Sequence, residues 1–285
     1  MFKPLNTSDH TTSYRKVLLY ALHGWGKTTQ AKYYQRRYGK GLILSGESGL
    51  ASIREAGIDY LPFSSWNGES GRAGGTLADP AYAHNPAENV YTFRGIIGML
   101  SSAEFRAMGY KWIMVDSLTE LADMSHRFAD LQAQANPGKD GKVNNFAIWE
   151  DYGAAMIGAC KWIRDLPMHV IVTSLAKEDT DENGNKEHWP MVKGKAVQKQ
   201  LPGIFDCVFC GVKRSEGDTS DPSAAPKTVH YIITDEYKGW HGKVRDEKRR
   251  LKAVEREADI TKLFDRMEME DSDYEKHLAT TQGVK

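Results

Sequence analysis

Residues 16–22 (KVLLYAL) form an unbroken apolar run, and the segment HGWGKTT follows it with no linker between them. A continuous apolar run of strand length suits a strand buried on both faces of a parallel sheet. From Lys27 to about Tyr38 the chain reads as a helix that stops at Gly39, and residues 41–45 (GLILS) are a second apolar run before Gly46 and Gly49. Strand, helix and strand in this order predict a β-α-β unit with a right-handed crossover.

The turn inside that unit, from Ala21 to Thr29, fits the phosphate-loop pattern G-x-x-x-x-G-K-[ST] with Ala21 at the first glycine position. Each part has a physical task. Gly24 and Gly26 let successive N–H groups point inward as an anion nest, and the N-terminus of the next helix adds partial positive charge. Lys27 reaches the terminal phosphates, and the Thr28 hydroxyl can ligate Mg²⁺. His23, Gly24, Trp25, Gly26, Lys27, Thr28 and Thr29 are therefore the candidate nucleotide-binding residues. A plain turn opening a helix is the competing reading, and the buried strand in front of the triplet favours the phosphate loop. For His23 and Trp25 two readings stand: stacking on the nucleotide, or packing on the loop.

Trp112-Ile113-Met114-Val115-Asp116-Ser117 is an apolar strand ending in an acid, the Walker B arrangement. Such an acid sits beside the phosphate loop and holds the Mg²⁺ shell, so Thr28 and Asp116 are the candidate metal residues. Asp116 or Ser117 also suits an N-cap for the helix starting near Leu118, and both roles are compatible. Hydrolysis needs a group that orients the attacking water. Glu47 follows the second strand, at the C-terminal edge where open parallel sheets bind ligands, and is the candidate base; a solvated loop glutamate is the alternative.

The rest of the chain extends an α/β pattern with a mostly parallel sheet, helices on both faces and late antiparallel strands. A helical segment at about 93–107 precedes a strand at 111–115. Leu118, Leu121, Met124, Phe128 and Leu131 mark one helix, and Phe146, Trp149, Met156, Cys160 and Ile163 another. Residues 168–174 (MHVIVTS) read as a further buried strand, followed by a hairpin with Asn183-Gly184 at its tip. Two late strands are expected at 206–212 and 228–234. Residues 64–90, rich in Gly, Ser, Pro and Asn, read as a long surface loop. Residues 1–15 are expected to be a flexible N-terminal segment, 16–268 one domain, and 269–285 an acidic, disordered tail after a charged helix.

Lys and Arg number 38 against 38 Asp and Glu, so no global field attracts a polyanion and any such site must be a local patch. No apolar run approaches the roughly 18 to 20 residues that cross a bilayer, and the first residues lack the apolar core of a secretory signal; a cytoplasmic protein without membrane partners is expected. The cysteines number three, too few for a fully paired framework. Cys207-Val-Phe-Cys210 fits half a zinc site or a redox pair, but buried strand residues are the favoured reading.

With Glu47 in place, the arrangement resembles the RecA-like P-loop ATPase core, and more narrowly the phage-encoded nucleotide-binding ATPases of the RecA-like branch of single-strand-annealing and recombination proteins. The resemblance covers about residues 15–268, its specific parts being the phosphate loop, Glu47 and Asp116. It implies that Glu47, in LILSGESGLASI, is the catalytic base, and that the Asp116-Ser117 ending is the usual one. It implies a γ-phosphate sensor at Thr173 or Ser174, with Ser174 joining Glu47 and Lys27 as the catalytic set. It also implies that Lys243 and Arg245, in the Trp240 to Arg245 element, meet a nucleotide in the same chain or from a neighbour. The sequence departs from the family at Ala21 and in a sensor that is neither Gln nor His. The implied activity is Mg²⁺-dependent ATP hydrolysis coupled to single-stranded DNA in phage recombination or replication, in the host cytoplasm, with a homo-oligomer and single-strand-binding or other phage replication proteins as partners. A small-molecule phosphotransferase and a non-hydrolysing ATP switch for protein partners are the other readings.

A groove for single-stranded DNA needs cations interleaved with stacking rings. Three stretches qualify: 32–40 (KYYQRRYGK), 193–199 (KGKAVQK) and 243–252 (KVRDEKRRLK). The first lies on the phosphate-loop helix and reads better as a solvated face. The second, with Trp189 as a stacking ring, is the better DNA candidate, set against a helix start with surface lysines.

Overall fold

The computed structural model describes residues 14–47, 49–67, 84–85, 90–217 and 227–282. The elements in chain order are β1 (Lys16–Ala21), α1 (Gln30–Tyr38), β2 (Gly41–Ser45), a 3₁₀ helix (Gly49–Ala56), β3 (Asp59–Ser65), β4 (His84–Asn85) and β5 (Val90–Thr92). There follow α2 (Phe93–Leu100), α3 (Ala103–Ala107), β6 (Trp112–Asp116), α4 (Leu118–Ala135), α5 (Asn145–Arg164), β7 (His169–Thr180) and β8 (Lys186–Pro190). The last part holds α6 (Lys195–Ile204), β9 (Cys207–Glu216), β10 (Lys227–Ile233), β11 (Glu236–Tyr237), β12 (Trp240–His241), β13 (Lys243–Val244), β14 (Val254–Glu255), α7 (Thr261–Glu268) and α8 (Asp271–Gln282).

The strands join in the order β14-β10-β9-β1-β7-β6-β2-β3-β5-β4. Every pair from β9 to β5 along that order is parallel; the antiparallel pairs lie at the two ends, in the β7–β8 and β11–β12 hairpins, and where β13 returns to β9. β1 is therefore central, which is why it tolerates no polar residue in its middle. Its alternation splits the core in two. Val17, Leu19 and Ala21 face the layer of α1 and α7, whereas Leu18 and Tyr20 face that of α2, α4, α5 and α6. Each of these large side chains is fully buried, an apolar burial that stabilises by about 1.5–3 kcal/mol per Val or Leu.

Four expectations change. β3 is a strand the composition hid: Asp59, Pro62, Ser64 and Ser65 are poor strand formers, yet the segment pairs with β2 and with the short β5 near the sheet end. Residues 64–66 consequently leave the expected surface loop, with Ser65 and Trp66 buried and Trp66 stacked on Phe93; the rest of that loop, apart from 67, 84–85 and 90, lies outside the described residues, as do residues 1–13. α7 is no solvated charged helix, because Leu263, Phe264 and Met267 are buried against α1 while Arg37 and Arg15 pair with Glu268. The acidic tail is helical over Asp271–Gln282: Asp271 and Asp273 sit in its first turn, where acids favour the helix dipole, and Arg250 pairs with Asp271. Tyr274 adds a hydroxyl bond to the Arg250 carbonyl at 3.1 Å.

The strand reading of the cysteines holds. Cys207 belongs to the α1 side of β9 and Cys210 to the α5 side, so alternation points their thiols to opposite faces. Burial pushes the Cys207 thiol up to about 12.

Candidate active site

β1 delivers the loop at the C-terminal edge of the sheet. Gly24 and Gly26 take φ of +69° and +103°, angles in the region that favours glycine. Trp25 between them turns inward, is 3% exposed, and lies against Gly211 of β9 and the edge of His230 at 6.1 Å. Of the two readings for Trp25, packing is the one the structure adopts: its ring anchors the loop to the sheet, and only its backbone remains available to a ligand. His23 stays exposed at the crest. The register Ala21↔Gly211 also accounts for the departure at the first glycine position. A methyl on Gly211 would lie 2.8 Å from the Ala21 methyl, so the small residue required there stands on the neighbouring strand.

α1 begins at Gln30 after a turn through residues 27–29, slightly later than the sequence suggested, with no acidic residue in its first turn and no side-chain cap from Thr29. The N–H groups of Gln30, Ala31 and Lys32 bond to the carbonyls of Lys27, Thr28 and Thr29, so the N–H groups left for an anion are those of the turn 27–29 that leads into the helix. Lys27 is 8% exposed, and its ammonium lies 3.3 Å from the Ala21 carbonyl and 3.5 Å from that of Leu22. Burial lowers its pKa from the ordinary lysine value, while Glu47 and Asp116 pull it back up.

Asp116 ends β6 two strands from β1, 2% exposed, and accepts a hydrogen bond at each oxygen: from Thr28 at 2.6 Å and from Thr173 at 2.5 Å. The three residues meet because strand alternation turns Thr173, like its face-mate Ile171, toward the α1 side. Ser174 turns the other way. Its hydroxyl lies 3.2 Å from that of Thr119 and donates to the Leu175 carbonyl at 2.9 Å, fully buried. Of the two hydroxyls, it is Thr173 and not the expected Ser174 that the structure brings to Asp116; counting faces along MHVIVTS, with Asp116 two residues beyond Met114, is the signal that distinguishes them.

Glu47 stands just past β2. The Gly46 N–H donates to the Asp116 carbonyl at 2.7 Å, Ser45 donates to the Glu47 carbonyl at 2.7 Å, and the Ser117 hydroxyl donates to the Glu47 carboxylate. Ser117 begins α4 without making a side-chain cap bond, so its hydroxyl serves Glu47. A carboxyl group that the sequence did not suggest lies nearby: the Glu120 pKa is raised by burial first, then by the charges of Glu47 and Asp123. Its position three residues after Ser117, one turn into α4, is the signal that could have found it.

A family model described as AAA domain matches residues 13–245. The chain belongs to that AAA-domain family of P-loop ATPases. A search of curated proteins finds none that matches it. Family membership carries nucleotide binding, and the residues fit the group: an inward anion nest, a buried ammonium, and a first helical turn without acids. The metal that usually accompanies such a nucleotide also fits, because the Thr28 hydroxyl and the Asp116 carboxylate are hard oxygen donors already within 2.6 Å of each other. Among the described residues no helix is long and apolar enough to cross a membrane.

The two late basic residues are not part of this site within one chain. β13 pairs with the start of β9, Lys243 opposite Val208, and Arg245 bridges to Asp206 at 3.1 Å. Asp206 in turn bonds to Lys16, the first residue of β1, whereas the phosphate loop follows its last. About 13 Å of strand, four residues at 3.3 Å, separate Cys207 from the loop-level residue Gly211. Two of the basic stretches are also absorbed structurally: Arg36 pairs with Asp259 at 2.6 Å, and Arg250 is buried beneath α8. Trp189 is no open platform, because His241 stacks on it at 3.7 Å and Lys199 lies over it at 5.8 Å.

Proposed function

We propose that this protein is an Mg²⁺-dependent ATPase of the RecA-like branch, phage-encoded and acting in the host cytoplasm, that couples ATP to single-stranded DNA in recombination or replication. The observation that carries the ATPase half is the connected set Thr28–Asp116–Thr173 beside Lys27, with Glu47 held by Ser117. A bound Mg²⁺, held by Thr28 and through Asp116, would neutralise charge on the phosphate oxygens. Lys27 adds its own positive charge to the γ-phosphate as negative charge builds there. Ser117 fixes one oxygen of Glu47, and the other accepts a proton from the attacking water as the new O–P bond forms and the β,γ-bridging bond breaks.

Support for the DNA half comes from rings left in water. Phe146 is 88% and Trp149 48% exposed at the start of α5, and the Trp149 ring lies against Gly194, inside the basic stretch 193–199. Exposed rings beside lysines suit base stacking with backbone neutralisation. Lys193 and Lys195 rest on Asp123 at 3.0 Å and Asp179 at 3.5 Å, pairs that a polyanion would replace. Lys243 and Arg245, away from their own chain's loop, are suited to a neighbouring subunit's nucleotide in a homo-oligomer.

The test is the ATP hydrolysis rate with and without single-stranded oligonucleotide, for the wild type and Lys27→Ala. Expected are hydrolysis lost in Lys27→Ala and, in the wild type, stimulation by DNA that fades as salt rises. A rate indifferent to DNA would remove the DNA half. Tight ATP binding with no hydrolysis under any DNA condition would favour the switch module.

A further inference from the structure

β9 lies beside β1 on the side away from the two acids, since the order runs β9-β1-β7-β6-β2. It extends five residues beyond Gly211, the partner of the last β1 residue, and so runs past the phosphate loop. Lys213 stands on this extension, opposite His230 of β10, whose ring meets Trp25. Its ammonium is 3.1 Å from the position that a Cβ on Gly24 would occupy. Among the described residues it forms no ion pair or side-chain hydrogen bond, although Lys193, Lys195 and Arg245 each have a carboxylate partner. An exposed, unpaired ammonium ordinarily extends into water; this one lies on the backbone of an anion nest.

Which part of the nucleotide it serves follows from the sheet order. The metal-holding pair Thr28–Asp116 and the Glu47 carboxylate lie toward β6 and β2, so the terminal phosphate is drawn to that side of β1. The remainder of the molecule then leaves the nest toward β9. Resting on the nucleotide-binding reading above, we infer that Lys213 is a second nucleotide-binding cation, which holds the α-phosphate and ribose end of a nucleoside di- or triphosphate and not its terminal phosphate. ATP and ADP share that end. Lys27 and Lys213 thus divide the ligand between them, one cation at each side of the loop.

Calorimetric titration with Mg-ADP and with a non-hydrolysable Mg-ATP analogue separates the possibilities, using wild type, Lys213→Ala, Lys213→Arg and Lys27→Ala. Lys213→Ala is expected to weaken both ligands by a similar factor, roughly tenfold, the loss of one hydrogen bond to a charged group. Lys213→Arg stays within about threefold of wild type, and neither variant moves the melting temperature, because the side chain packs in no core. Unchanged affinity for both ligands in Lys213→Ala would overturn the inference, and a loss confined to the ATP analogue would overturn the placement at the α-phosphate end. If Lys27→Ala bound as tightly as wild type, the phosphate-loop reading itself would fail, an outcome distinct from failure of Lys213 alone.

Discussion

Replacing Gly211 by alanine tests how the loop is held. The added methyl would lie 2.4 Å from Cδ2 and 2.5 Å from Cε2 of Trp25, and 2.8 Å from the Ala21 Cβ. Ordinary contact begins near 3.4 Å, so the indole must retreat by about 1 Å. Because Ala21 also crowds the methyl, the strand end offers no slack. Overpacking a close-packed site costs about 1–3 kcal/mol, and in a chain of this size each kcal/mol lowers the melting temperature by roughly 2–4 °C. Trp25 is joined directly to Gly24 and Gly26, so its retreat turns the N–H groups of the nest. Losing one charged hydrogen bond to phosphate corresponds to roughly a tenfold or greater loss of affinity. Differential scanning fluorimetry and ADP titration of Gly211→Ala are expected to show both losses, and adding Trp25→Leu, which shortens the obstructed side chain, recovers part of the affinity. Wild-type melting and wild-type affinity in Gly211→Ala would refute the idea that Trp25 wedges the loop against β9.

Other outcomes follow from the same geometry. Thr173→Val removes a donor to Asp116 and lowers turnover by roughly tenfold or more, whereas Ser174→Ala, pointing to Thr119, changes it by less than about threefold; steady-state phosphate release distinguishes them. At concentrations where light scattering shows a monomer, Ala at Lys243 or Arg245 leaves ADP affinity within about twofold in titration, since both stand at the opposite end of β9; a loss that sets in only on self-association would match the contact with a neighbour's nucleotide. His169 accepts the Arg15 N–H at Nδ1, and burial, with the Lys16 charge, holds its pKa at about 4, below the ordinary 6.5. The folded state therefore resists its protonation, so its stabilising contribution is complete above pH 6.5 and is lost as pH falls toward 4. Urea unfolding of wild type across that window is expected to show stability declining with acidity, with a shallower decline in His169→Gln.

Much of this was legible in the chain itself, and for identifiable reasons. β1, β2, β6 and β7 are central, and buried central strands leave continuous apolar runs. Asp116 ends such a strand and Glu47 stands two residues past another, so topology alone brings the two acids to one edge. β3 escaped because a strand near the sheet end tolerates Pro and Ser, and α8 because its anchor, Arg250, is remote in sequence. Trp25 was ambiguous: whether a loop indole faces a ligand or the core depends on Gly211, nearly two hundred residues away. Lys243 and Arg245 were associated with the nucleotide by resemblance, yet an antiparallel return to the start of β9 puts them at the other end of the sheet. Pairing register of that kind leaves no local mark.

The most direct test of the central claim, that Glu47 and Asp116 complete a reaction centre around the phosphate loop, is the phosphate-release rate of Glu47→Gln measured beside its ATP affinity. With Glu47 in the proposed role, accepting the water's proton and taking no part in gripping phosphate, affinity should stay within about threefold of wild type while the rate drops by roughly a hundredfold or more. A Glu47→Gln protein that hydrolyses ATP at the wild-type rate would contradict the account.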